Sequence, residues 1–120
     1  MSESFLRWVI IVATVVTAAV HMVLGISGIL NADAFFGIVF PLNGLGYLAL
    51  LAALFLNVPL LAERRNLIRY AMIAYTALTF VLYFVFNGFT FGPAAIVAKL
   101  AELILIVALL AHPPARSRTA

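Results

Sequence analysis

FLRWVIIVATVVTAAVHMVLGISGIL, residues 5–30, carries one formal charge, Arg7, close to its start. An apolar run of about 20 residues matches the hydrocarbon thickness of a bilayer. Three more runs follow, at 35–56 (or 41–56), 67–86 and 93–111. Together they leave little of the 120-residue chain outside an apolar segment, with 67% hydrophobic and 9% charged residues. The mean hydropathy is +1.23. A soluble domain of this size has too much surface for its volume to hide so much apolar area. In lipid an open sheet leaves its edge hydrogen bonds unmet, so the runs read as helices. A β-barrel would show segments of about ten alternating residues instead. The expected fold is all-α: one polytopic membrane domain of four transmembrane helices, followed by a short basic tail at 112–120.

Breakers separate the runs. Asn31-Ala32-Asp33 forms a turn signal, with Asp33 a suitable helix N-cap. Asn57, Pro59 and Glu63-Arg64-Arg65-Asn66 divide the second run from the third. Asn87-Gly88 through Gly92-Pro93 divides the third from the fourth, placing Pro93 at a first helical position, and Pro113-Pro114 stops the last helix. The second helix has two readings. Either Pro41 is its first-turn residue, leaving 34–40 as an interfacial segment, or it starts at Asp33 and kinks at Pro41.

Basic residues set the expected topology. Arg7, Arg64, Arg65, Arg69, Arg116 and Arg118 fall near the N-terminus, around the second loop and in the tail. With four spans these regions share one side, so the termini are expected to be cytoplasmic in a multi-pass protein of the cell membrane. The other two loops carry only Asp33, and such one-sidedness argues against a dual-topology transporter. Trp8 and Tyr70 fall near the inner interface, where amphipathic rings are common. Val16-Thr17-Ala18 resembles a signal-peptide cleavage site, but the apolar run continues well beyond it, so the first run reads as a retained helix. The absence of cysteine excludes disulfide chemistry, thiolate ligands and cysteine nucleophiles. The pI of about 9.8 is explained by topogenic bases facing anionic lipid rather than by nucleic acid.

Polar residues inside the runs recur at helical spacing. The first run carries Thr14, Thr17, His21, Gly25 and Gly28 on one face. The second carries Asn43, Tyr47, Leu50, Leu54 and Asn57, with Gly44 and Gly46 alongside; the third carries Thr76, Thr79, Tyr83 and Asn87. Lys99 and Glu102, three apart on the fourth, are neighbours. A bundle with a polar interior requires such seams. At 1.5 Å per residue, His21 lies roughly 13 Å below the outer end of its helix, and Lys99 and Glu102 roughly 9 and 14 Å below theirs. His21, Asn43, Tyr47, Thr79, Tyr83, Lys99 and Glu102 are therefore expected to converge in the outer half of the membrane.

That cluster has two readings. In one, Lys99 and Glu102 neutralise each other and the remaining groups make interhelical hydrogen bonds worth around 0.6 kcal/mol each. In the other, it holds a proton, an ion or a small polar headgroup, because intramembrane charge is costly. Haem ligation by His21 and His112 in one chain is disfavoured by their separation in depth; two copies of His21 across a dimer remain a candidate pair. His112 fits a helix C-terminus, where the dipole is negative. A di-metal carboxylate site lacks the acids and histidines it needs. Asn43-Gly44-Leu45-Gly46 and Gly25-Ile26-Ser27-Gly28 read as packing notches, not phosphate loops. Phe35, Phe36, Phe40, Phe80, Phe84, Phe86, Phe89 and Phe91 crowd the outer half, as interfacial anchors or as contacts for lipid, pigment or partner.

His21-Met22-Val23-Leu24-Gly25-Ile26, Leu42-Asn43-Gly44-Leu45-Gly46-Tyr47-Leu48 and Arg69-Tyr70-Ala71-Met72-Ile73-Ala74-Tyr75-Thr76-Ala77 resemble blocks of an uncharacterised family of small four-helix membrane proteins. Tyr83, Asn87 and the region around Lys99 extend the resemblance over most of the chain. That family is best known from halophilic archaea, whose proteins are typically acidic, and this basic chain departs from that habit. The resemblance implies the four-helix architecture and no activity. No hydrolase or phosphotransfer motif is present. The expected function is that of a non-catalytic accessory subunit or scaffold in the lipid bilayer, working as a homo-oligomer or within a larger membrane complex. The alternative is a protein that handles a proton, an ion or a small ligand (haem, quinone or lipid) through the outer cluster.

Overall fold

A computed structural model describes residues 2–30, 34–88 and 92–112. Among them every regular element is a helix: α1 Glu3–Leu30, α2 Ala34–Phe55, the single turn α3 Pro59–Ala62, α4 Arg65–Asn87 and α5 Pro93–Ala111. Local chemistry sets several ends. Ser2 Oγ accepts the Phe5 N–H at 3.1 Å, capping α1, whose first turn also holds Glu3. Pro59 and Pro93 open α3 and α5, where a missing N–H is harmless. Gly88, at φ 61 and ψ −139, takes a positive-φ conformation that glycine alone adopts readily, and its N–H closes α4 on the Phe84 carbonyl. Asp33, the expected cap of α2, lies outside the described residues.

α2 is one helix with Pro41 inside it, so residues 34–40 belong to the helix and not to a separate interfacial segment. Pro41 has no N–H for the Gly37 carbonyl four residues back. Its ring lies where a Cβ on Gly25 would stand, and a Cβ on Gly44 would come within 2.9 Å of the Ala18 carbonyl oxygen. The glycines thus let α1 and α2 approach backbone to backbone. α1 packs most closely on α2 and α5, and α4 completes the ring by touching both α2 and α5. The short α3, which the breaker-rich stretch after Asn57 does not suggest, links α2 to α4.

Burial follows narrow seams. On α1 the buried residues Leu6, Ile10, Ala13, Thr17, His21 and Gly25 recur every three or four positions, while Val12, Val15, Val23, Ile26 and Ile29 are exposed. The outward face is as apolar as the inward one. Water would not tolerate such a surface over four helices, whereas lipid tails would. α1, α4, α5 and the Gly37–Phe55 part of α2 are each long and apolar enough to cross a membrane. α1, with 28 residues, spans about 42 Å, more than the hydrocarbon core.

Two arginines first read as topogenic also close helix ends. Arg65 Nη2 donates to the Leu56 carbonyl just past α2 at 2.8 Å, and Arg69 Nη1 donates to the Leu109 carbonyl near the end of α5 at 2.8 Å. These are carbonyls that a helix C-terminus leaves unmet, at the negative end of its dipole. Arg69 is buried in doing so, with its guanidinium 4.6 Å from the Tyr70 ring centroid.

Candidate functional site

The site is built outward from Glu102, which is 0% exposed. Lys99 precedes it by one turn of α5, and its Nζ lies 2.6 Å from Glu102 Oε1. The second carboxylate oxygen accepts the Thr17 hydroxyl of α1 at 3.0 Å. Both oxygens are therefore engaged, as a carboxylate removed from water requires. Thr17 also accepts, through its backbone carbonyl, the Nδ1–H of His21 at 2.7 Å. A carbonyl only accepts, so Nδ1 carries the hydrogen and the neutral ring keeps its lone pair on Nε2. The Lys99 ammonium faces two rings of α4, with Nζ 5.0 Å from the Tyr83 centroid and 5.5 Å from that of Phe80.

A second group joins α2 to α4. Asn43 Nδ2 donates to Thr79 Oγ1 at 3.0 Å, and the Tyr75 hydroxyl donates to the Asn43 carbonyl at 2.8 Å. The Tyr75 ring meets Tyr47 edge to face, with centroids 4.8 Å apart. Tyr47 in turn lies 6.2 Å from the His21 ring, whose other aromatic neighbour is Phe40 at 5.8 Å. Asn43 Oδ1 and the Tyr47 hydroxyl are buried with no hydrogen-bond partner; Thr76 and Thr79 stand beside that hydroxyl.

A partly enclosed cavity of about 330 Å³ lies between α1, α2, α4 and α5. Its deep end is polar, formed by His21, Asn43, Thr79, Tyr83 and Lys99. Towards the helix ends the walls are apolar, with Phe35, Val39, Leu82 and Phe86, and the small Gly92 and Ala95 open space on α5. Phe35 and Phe86 approach to 6.1 Å across this end. On the opposite side of Glu102, Ile10, Met72, Leu105 and Leu109, each 0% exposed, form a mainly apolar layer, in which the Thr14 and Thr76 hydroxyls bond to their own helices.

The structure places five of the seven sequence-derived site residues on the cavity wall: His21, Asn43, Thr79, Tyr83 and Lys99. Glu102 stands behind Lys99, and Tyr47 is packed between His21 and Tyr75, so neither lines the cavity. Sequence reasoning placed Thr17 on the polar face of α1 without assigning it a role, though its position four before His21 was the available signal. Phe40 and Tyr75 were missed as wall and support. His112 packs against Phe55, with centroids 6.3 Å apart, at the end of the bundle away from the cavity. Among the described residues no group of three or more His, Asp or Glu side chains converges as metal ligands would.

The arrangement defines an all-helical protein with four helices of membrane-crossing length and a buried ion pair at the back of a cavity between them. The chain belongs to a family of unknown function, DUF7475, whose family model matches residues 1–111. No curated protein and no solved structure matches it.

Proposed function

We propose that this protein binds a small amphipathic molecule in the cavity, head inward against His21 and Lys99, within a membrane. One observation carries the reading. The cavity ends on two nearly buried polar side chains, exposed by only 6% and 7%, one offering an acceptor and the other an ammonium donor. A volume of about 330 Å³ falls at the small end of the range of about 300–1,000 Å³ typical of ligand pockets, which are mostly apolar with a few fixed polar groups. The accessory-subunit or scaffold reading relies on the outer helix faces, and lipid alone accounts for their apolar character. The closely packed apolar layer below Glu102 argues against a conduit for ions along the bundle axis.

The test is native mass spectrometry on protein extracted gently from its own membrane, alongside Ala95→Phe, which fills the cavity from α5. A stable small-molecule adduct on the 13.0 kDa chain, absent from a folded Ala95→Phe variant, is the expected result. A bare chain, or an adduct that Ala95→Phe leaves untouched, would sink the proposal. Recovery within a larger hetero-complex and without an adduct would favour the accessory-subunit reading.

Orientation follows from the same proposal. The bases Arg7, Arg64, Arg65 and Arg69 support cytoplasmic termini in the cell membrane, so the cavity mouth would face outward. A cysteine-free chain makes this simple to check. In intact cells Gly92→Cys, at a position where a Cβ meets nothing within 4 Å, is expected to react with an impermeant maleimide, and Ser2→Cys only after lysis. The reverse pattern would invert the topology and leave the cavity reading intact.

A further inference from the structure

We infer that the occupant is a neutral aromatic lipid of the quinol type, bound in preference to its oxidised quinone form. The inference rests on the binding reading above and names its ligand.

Charge selects against most lipid heads. Lys99 is already neutralised by Glu102 at 2.6 Å, so a phosphate or carboxylate head would compete with a fixed anion that is better placed. A cationic head would meet the Lys99 ammonium. A neutral head disturbs neither partner of the buried pair.

Hydrogen-bonding inventory narrows the choice. The Lys99 ammonium has three hydrogens and no acceptor; one hydrogen serves Glu102, and others remain for a ligand. His21 spends its Nδ1–H on the Thr17 carbonyl, so the neutral ring offers only the Nε2 acceptor. A matching head therefore needs one acceptor, for Lys99, and one donor, for His21. A quinol presents hydroxyls that do both. A quinone presents carbonyls that only accept, and leaves Nε2 unpaired.

The walls fit a flat ring. Phe40 stands edge-on to His21, and the Tyr83 ring faces the Lys99 ammonium from α4. Phe35 and Phe86 flank the way out, where an apolar chain would leave the bundle. The volume of about 330 Å³ suits one ring and the first carbons of its chain, with the rest lying among lipid tails.

The test uses the full chain in nanodiscs, titrated with a short-chain 1,4-benzoquinone and, under reducing conditions, with its quinol, with empty nanodiscs as the partition control. The quinol is expected to bind about tenfold more tightly, the net effect of one added hydrogen bond. His21→Phe should bring the ratio to near unity while quinone affinity stays within about twofold, since Lys99 serves both forms. His21→Asn, whose side-chain oxygen can accept, should restore part of the preference. Equal binding by the wild type, or a preference that survives His21→Phe, overturns the inference. If His21→Phe does not fold, the wild-type ratio decides alone. Binding of neither form, with the native adduct still present and lost in Ala95→Phe, would overturn the quinol assignment and spare the broader reading. Binding of neither form and no adduct would overturn both.

Discussion

Replacing Glu102 alone with leucine is expected to destabilise the protein by about 3–5 kcal/mol, whereas Lys99→Met with Glu102→Leu together should change stability by less than about 1 kcal/mol. The asymmetry comes from what each variant leaves behind. Without its carboxylate, Lys99 is 7% exposed and, among the described residues, faces the Phe80 and Tyr83 rings, and ring faces compensate a desolvated ammonium poorly. When both charges go, no orphan remains. Thr17 loses its acceptor in either case, but its hydroxyl can turn back to the carbonyl four residues earlier. Thr14 and Thr76 already do so, bonding to Ile10 and Met72 carbonyls at 2.6 and 2.7 Å. Unfolding in mixed micelles by titrated dodecyl sulfate would measure both variants. A single variant as mild as the double would mean that the two charges are not energetically coupled. The double variant separates packing from binding as well, because a well-folded protein without Lys99 should lose the bound adduct.

Gly25→Val should be the next most damaging change, at about 3 kcal/mol or more, since overpacking a rigid contact has no easy relief. A Cβ at Gly25 falls on the Pro41 ring, with the Pro41 nitrogen only 3.3 Å away. Neither can rotate aside, so α1 and α2 must part along their closest line of approach. Gly46→Ala makes a useful contrast. Its new Cβ meets the Tyr75 hydroxyl, the far end of a side chain that can swing, and the expected loss is about 1 kcal/mol for the hydrogen bond to the Asn43 carbonyl. Gly92→Ala, with nothing within 4 Å, should be neutral. The same unfolding titration ranks the three, and a Gly25→Val variant as stable as Gly92→Ala would refute the close-packing account.

The four apolar helices were legible because bilayer thickness writes itself into run length, and Lys99 and Glu102 because residues three apart on a helix must meet. Pro41 was ambiguous for a physical reason. Proline usually ends a helix, yet one packed against a neighbour tolerates it, and here Gly25 supplies the room. The hydrogen bond from Thr17 to Glu102 joins residues 85 apart and depends on how α1 and α5 are rotated about their axes, which spacing within each helix does not encode. Tyr75 was hidden in the same way. Its reach to the Asn43 carbonyl passes over Gly46, and only the packed pair reveals that the glycine makes space for a phenol. Arg65 and Arg69 were read for their charge, while their aim at helix ends on α2 and α5 is tertiary information.

The layer of Ile10, Met72, Leu105 and Leu109 beneath the ion pair makes the bundle one-sided, with its cavity towards one end only. The cavity wall stops part-way through the bundle, so a molecule bound there would enter and leave by the same end. On the proposed binding, occupancy would equilibrate with a single leaflet and ignore the composition of the other. If the proposed binding holds within a membrane, an asymmetric bilayer would read differently to this protein from each side.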